Sequence, residues 1–97
     1  MPTYISLVKY TQKGVESIKR TPDRMEAARE AAKAVGADIK AFYLVMGQYD
    51  AVVVFEAPDD ASVALTMLAT GMQGNVRTET LRAFTEEEFG RIVAALP

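Results

Sequence analysis

The chain contains no cysteine, no histidine and no tryptophan. Without cysteine no disulfide framework forms, so nothing points to secretion. Without histidine or cysteine there is no ordinary zinc site, no thiol nucleophile, no His- or Cys-ligated haem and no Ser-His-Asp triad. Any general acid or base must be Asp, Glu, Lys or Tyr. A carboxylate site for Mg²⁺ or Ca²⁺ stays open in principle, yet no Asp-x-Asp-x-Asp loop builds one. No metal and no cofactor are therefore expected. Charge of one sign is also missing. Eleven basic and 13 acidic residues leave a net charge of -2. That is no footprint for nucleic acid or for an anionic membrane surface. No apolar run approaches the roughly 18 residues of a membrane span. The start, "MPTYISLVKY", lacks the basic-then-apolar order of a signal peptide. A cytoplasmic location is the expectation.

What is present reads as one globular domain over residues 1–97, with 49% hydrophobic and 25% charged residues. "TYISLVKY" (3–10) alternates as a strand, with Ile5, Leu7 and Lys9 on one face and Tyr4, Ser6, Val8 and Tyr10 on the other. A short helical turn is expected over 15–19. Thr21-Pro22-Asp23 reads as a helix start with Thr21 as cap, and Gly36 as the stop. Met25, Ala28, Ala32 and Val35 form the expected buried stripe of that helix. "DIKAFYLVM" (38–46) and "AVVVFEA" (51–57) read as an antiparallel hairpin. In the first of these, simple alternation puts Ile39, Ala41, Tyr43 and Val45 opposite Phe42, Leu44 and Met46. Asp59 or Asp60 caps a second helix with Ala64, Leu65, Leu68 and Met72 as its apolar stripe. "NVRTETLRAF" (75–84) is a fourth strand, with Val76, Thr78, Thr80, Arg82 and Phe84 on one face. Thr85 and Glu88 fit a capping box ahead of a last helix carrying Phe89, Ile92, Val93 and Leu96.

The order strand-helix-strand-strand-helix-strand predicts an α+β, ferredoxin-like βαββαβ fold with a C-terminal helix. The middle strands are apolar on nearly both faces, although helices cover one face only. A second copy of the sheet is the simplest cover, which predicts a homodimer of the αβ-barrel kind. The alternative is a last helix folded back over the sheet of a monomer.

The stretches "YISLVKYTQKG", "TPDR", "VMGQYDAVVVFEAPDD" and "NVRTETLRAFTEEE" stand in the order found in the GYD-domain family. The chain resembles that family over almost its whole length. The resemblance implies a dimeric αβ-barrel relationship and assigns no reaction. There is a more distant likeness to the amino-acid-sensing domain of leucine-responsive (feast/famine) regulators, which carry a Gly-x-Tyr-Asp hairpin near an effector site. No helix-turn-helix stands ahead of the first strand here, so the likeness implies a free-standing sensing module.

The candidate site residues follow from chemistry and place. Gly47 suits a positive-φ turn. Asp50 either holds its own loop through backbone N–H groups or meets a ligand ammonium or hydroxyl. Tyr49 offers an apolar ring and a polar tip. Lys9, near Tyr4 and Tyr10, suits an anion or, if desolvated, a base. Arg24 opposes the helix dipole in a first turn, which suggests a specific partner such as Asp50 or a ligand carboxylate. Thr80 lies with Thr78 and Arg82 either toward a barrel interior or on a polar edge strand, the edge being preferred. The favoured reading is a small-molecule-binding or sensing module with a cleft near Gly47–Asp50. A cofactor-independent enzyme and a purely structural assembly protein are the alternatives.

Overall fold

The computed structural model describes residues 1–97. Its elements are β1 (Thr3–Tyr10), α1 (Gln12–Glu16), a 3-10 turn (Ile18–Arg20), α2 (Thr21–Ala34), β2 (Asp38–Leu44), β3 (Ala51–Glu56), α3 (Asp60–Met72), β4 (Val76–Ala83) and α4 (Glu86–Ala94). One antiparallel sheet has the order β2-β3-β1-β4. Each long crossover, through α2 and through α3, therefore skips a strand position, as the ferredoxin-like fold requires.

The helices take their ends from local chemistry. Asp59 caps α3, its carboxylate accepting from the Ser62 N–H at 2.8 Å. Thr85 and Glu88 form the full capping box of α4, with bonds of 2.9 and 3.1 Å. At the end of α2 the Gly36 N–H bonds to Lys33 O and the Ala37 N–H to Ala32 O, the Schellman pattern. Thr21 does not cap α2. The 3-10 turn runs straight into the helix, so Thr21 already has helical angles and its hydroxyl donates back to Ile18 O.

The sheet sets the two faces. Tyr4, Ser6, Val8 and Tyr10 pair across β4 with Arg82, Thr80, Thr78 and Val76, toward the helices. Tyr4, Phe55, Ala57 and Val63 make the buried cluster, with Ala37, Ile39, Val53 and Met67 packed on it. The Tyr4 and Phe55 rings stack at 5.5 Å. Two expected stripes change. In β2 the register slips between Ile39 and Ala41, so Lys40 is a bulge residue. Ile39 then shares the helix side with Phe42, where simple alternation separates them. In α3 the residues against the sheet are Val63 and Met67, while Leu65, Leu68 and Met72 are exposed. This helix is apolar at two overlapping sets of positions, so periodicity alone does not choose its inner face. In α2 only Ala32 of the expected stripe is fully buried; Ala28 is exposed.

The opposite face of the sheet carries Ile5, Leu7 and Lys9 of β1, Val52 and Val54 of β3, Ala41 and Tyr43 of β2, and Glu79 and Leu81 of β4. No helix lies over it. The last helix does not fold back: Phe89 of α4 and Leu96 just beyond its end are 61% and 67% exposed.

Candidate functional site

The β2–β3 hairpin is a fastened loop. Gly47 has a φ of +116°, where a side chain is strained, so the glycine is required by the turn. The Asp50 carboxylate accepts from the Tyr10 N–H at 2.9 Å. The Asp50 N–H donates to Val8 O at 2.8 Å, and its carbonyl accepts from the Val45 N–H at 2.9 Å. Asp50 thus ties the hairpin to the end of β1 through two bonds and closes the hairpin on itself through the third.

Tyr49 turns to the open face instead. Its hydroxyl donates to the Glu79 carboxylate, and Lys9 Nζ lies 5.4 Å from the centre of its ring. The hydrogen bond to Glu79 favours the neutral phenol and raises the Tyr49 pKa. The bond to the Asp60 carboxylate does the same for Tyr4, which lies in the buried cluster. Neither phenol is thereby poised as a base at neutral pH.

The eight candidates do not converge on one cleft. Lys9 and Tyr49 meet on the open face, beside the loop made by Gly47 and Asp50. Tyr4, Tyr10, Thr80 and Arg24 lie on the helix side of the sheet. Thr80 and Ser6 share a hydroxyl bond of 2.9 Å. Arg24 is held by Ser17, donating from Nη2 to the backbone oxygen at 3.1 Å and to the hydroxyl; its partner is not Asp50. β4 is an edge strand, as the polar reading of Thr78, Thr80 and Arg82 expects, and that polar row faces the helices.

Across the open face the ladder makes ordered rows. Ala41, Val54, Ile5 and Leu81 form one row; Tyr43, Val52, Leu7 and Glu79 form the next. Charge lies at the two ends. At the hairpin end Lys9 and Arg77 are paired positions, with Glu79 beside them. At the far end Asp38 and Glu56 are paired positions, and Lys40 reaches them at 2.8 and 3.9 Å. One end holds two cations and one carboxylate, the other two carboxylates and one cation. Glu79, Arg77, Asp38 and Glu56 are absent from the sequence candidates. Their signal lies in strand register, which a bulge and a long chain separation hide from local pattern.

The architecture defines an α+β domain with one helix-covered sheet face and one open apolar face. The sequence model of the GYD domain matches residues 4–93, and the chain belongs to that family. It is 42% identical over 84 residues to a Thermus thermophilus protein named glutamine synthetase and cystathionine beta-lyase binding protein, covering 86% of this chain and 88% of that one. Among solved structures it is similar to TTHA0845, also from Thermus thermophilus, with a TM-score of 0.51 and 26% identity over 88% of this chain and 95% of that one. It also resembles FFRP-DM1 in fold, with a TM-score of 0.59 and 20% identity over 87% of this chain and all of that one. No helix is long and apolar enough to cross a membrane.

Proposed function

We propose that this chain is a protein-binding module without chemistry of its own: two copies pair through their open sheet faces, and the pair engages a metabolic enzyme. The open face carries this reading. Ala41, Val54, Ile5 and Leu81 of one row and Tyr43, Val52 and Leu7 of the next lie uncovered there, with Tyr43 60% exposed and Leu81 48% exposed. A contiguous apolar surface of this kind marks an interaction site. The end charges favour a second copy as its cover. A two-fold axis in the plane between the sheets, perpendicular to β1, lays the acidic end of one face on the basic end of the other. The apolar rows then meet in the middle. This is the αβ-barrel pairing expected from sequence, with a direction chosen by charge.

The enzyme partner is suggested by the relative's name, which speaks of glutamine synthetase and cystathionine beta-lyase for that protein. The raised phenols of Tyr4 and Tyr49 weigh only against either acting as a general base at neutral pH. Two measurements test the proposal. Sedimentation of the purified chain should give a dimer, and Leu81→Arg a folded monomer. Surface binding to purified glutamine synthetase and cystathionine beta-lyase should be saturable for the wild type and lost in Leu81→Arg. A monomeric wild type overturns the pairing, and a dimer that binds neither enzyme overturns their assignment as partners.

A further inference from the structure

Helix α4 is an arm without a cover. Phe89, Ile92, Val93 and Leu96 stand at positions i, i+3, i+4 and i+7, which gathers them on one side, and all four are exposed. Glu86 stands one turn ahead of Phe89 on that same side, while Glu87 and Arg91 pair with each other on the opposite side. Only Phe84 and Thr85 link the helix to β4, and both are held. The Arg82 guanidinium lies 4.4 Å from the centre of the Phe84 ring, and Thr85 belongs to the capping box. A swing of α4 back over its own sheet would have to break these contacts. The molecule is accordingly elongated. Its radius of gyration is 14.7 Å and its longest dimension 52 Å, where a compact chain of this length has a radius of about 12.5 Å.

β4 delivers the arm to the far end of the sheet, where Ala83 pairs with Thr3 and Thr3 with Glu56. The two-fold axis of the proposed pair keeps the strand order and reverses the ends. β4 then lies over β4, and the start of α4 arrives at the hairpin end of the other copy. There Lys9 and Arg77 face each other on the ladder. Like charges directly opposite destabilise a sheet, and neither makes an ion pair within the chain, whose pairs involve Lys33, Lys40 and Arg91 alone. The nearby Glu79 is taken by the Tyr49 hydroxyl. Glu86 is the complementary case. Glu88 accepts from the Thr85 N–H and Glu87 from Arg91, which leaves Glu86 without a partner. At the same end the Thr11 N–H donates to Asn75 O, which sets α1 and the 3-10 turn beside the start of β4. Val15 and Ile18 are exposed there.

We infer that α4 is an exchanged arm: in the pair, Glu86 of each copy meets Lys9 and Arg77 of the other, and the apolar stripe of α4 covers Val15 and Ile18 there. This rests on the proposed pairing and adds contacts that the sheet faces do not make. Because the chain has no cysteine, a single nitroxide can be placed by substitution. Unlabelled Ala95→Cys carrying the nitroxide is refolded together with ¹⁵N-labelled wild type, so broadening reports contact between copies only. Signals of residues 9–18 and 76–77 should broaden most. If the mixture sediments as a dimer while broadening centres on Leu65, Leu68 and Met72, or is absent, the arm is overturned and the pairing stands. A monomer overturns both. Glu86→Lys and Arg77→Glu should each weaken pairing by about two- to fivefold, the scale of one exposed ion pair. Carrying both, a chain exchanges the charges across the two-fold axis and should pair within about twofold of the wild type. A folded double variant that pairs no more tightly than the single ones overturns the contact.

Discussion

The two faces of the sheet are built from the same strands and do opposite things. On the helix side, aromatic stacking and the Val63 contact close a small core, and polar side chains find partners inside the chain. On the open side, apolar side chains fill the middle of the sheet between charged ends but have nothing over them. The difference teaches that hydrophobicity alone does not locate a core. What makes a face a core is the presence of an element to cover it, and here the chain supplies helices for one face only.

The contrast is broken most severely from the covered side. Phe55→Ala should destabilise the fold by about 3–5 kcal/mol, read in a denaturant titration, because the cavity it leaves cannot refill. Asp50→Ala should cost about 1.5–3 kcal/mol, since it strands the Tyr10 N–H beside the hairpin. Thermal unfolding should show that loss in a monomeric background as well, which separates a fastener from an interface residue. Leu81→Ala sharpens the contrast from the open side. Its effect on unfolding of the isolated chain should stay within about 0.5 kcal/mol, while sedimentation shows weaker pairing.

The smallest effect belongs to the α4 cap. The backbone N–H of Thr85 holds the Glu88 carboxyl below its ordinary pKa of 4.5. A depressed carboxyl contributes stability that is present above 4.5 and lost as pH falls through its lower folded value. Backbone amide shifts of residues 85–88 should therefore move toward unfolded values at acidic pH before the sheet unfolds. A sheet that titrates first would contradict this order.

Much of the fold is legible because strong local signals agree with one another. The alternation of β1 and β4, the Asp59 cap, the capping box at Thr85 and the stop at Gly36 each act within a few residues. The family segments around the hairpin point to the same order. What local pattern misses depends on distant partners. The Lys40 bulge arises where β2 meets β3, so alternation misplaces Ile39. The inner face of α3 is chosen by the sheet beneath it. Arg24 does need a partner, as its place in a first turn suggests, yet Ser17 lies across a junction whose geometry no spacing reveals. Tyr49 and Asp50 stand adjacent in the motif, and only the folded chain separates their tasks: one side chain pins the loop, the other reaches the open face.

The bulge at Lys40 bears on how this protein can assemble. An edge strand with free backbone groups invites another strand to add beside it, and sheets that extend in this way grow without limit. The bulge interrupts that template on β2, and the Lys40 ammonium between Asp38 and Glu56 adds charge at the same point. β4, the other border, is dotted with Arg77, Glu79 and Arg82. With both borders blunted, strand addition is disfavoured, and the proposed pairing through the flat of the sheet would close the surface it covers. The same few residues that disturb the strand pattern thus favour a finite complex over a fibre.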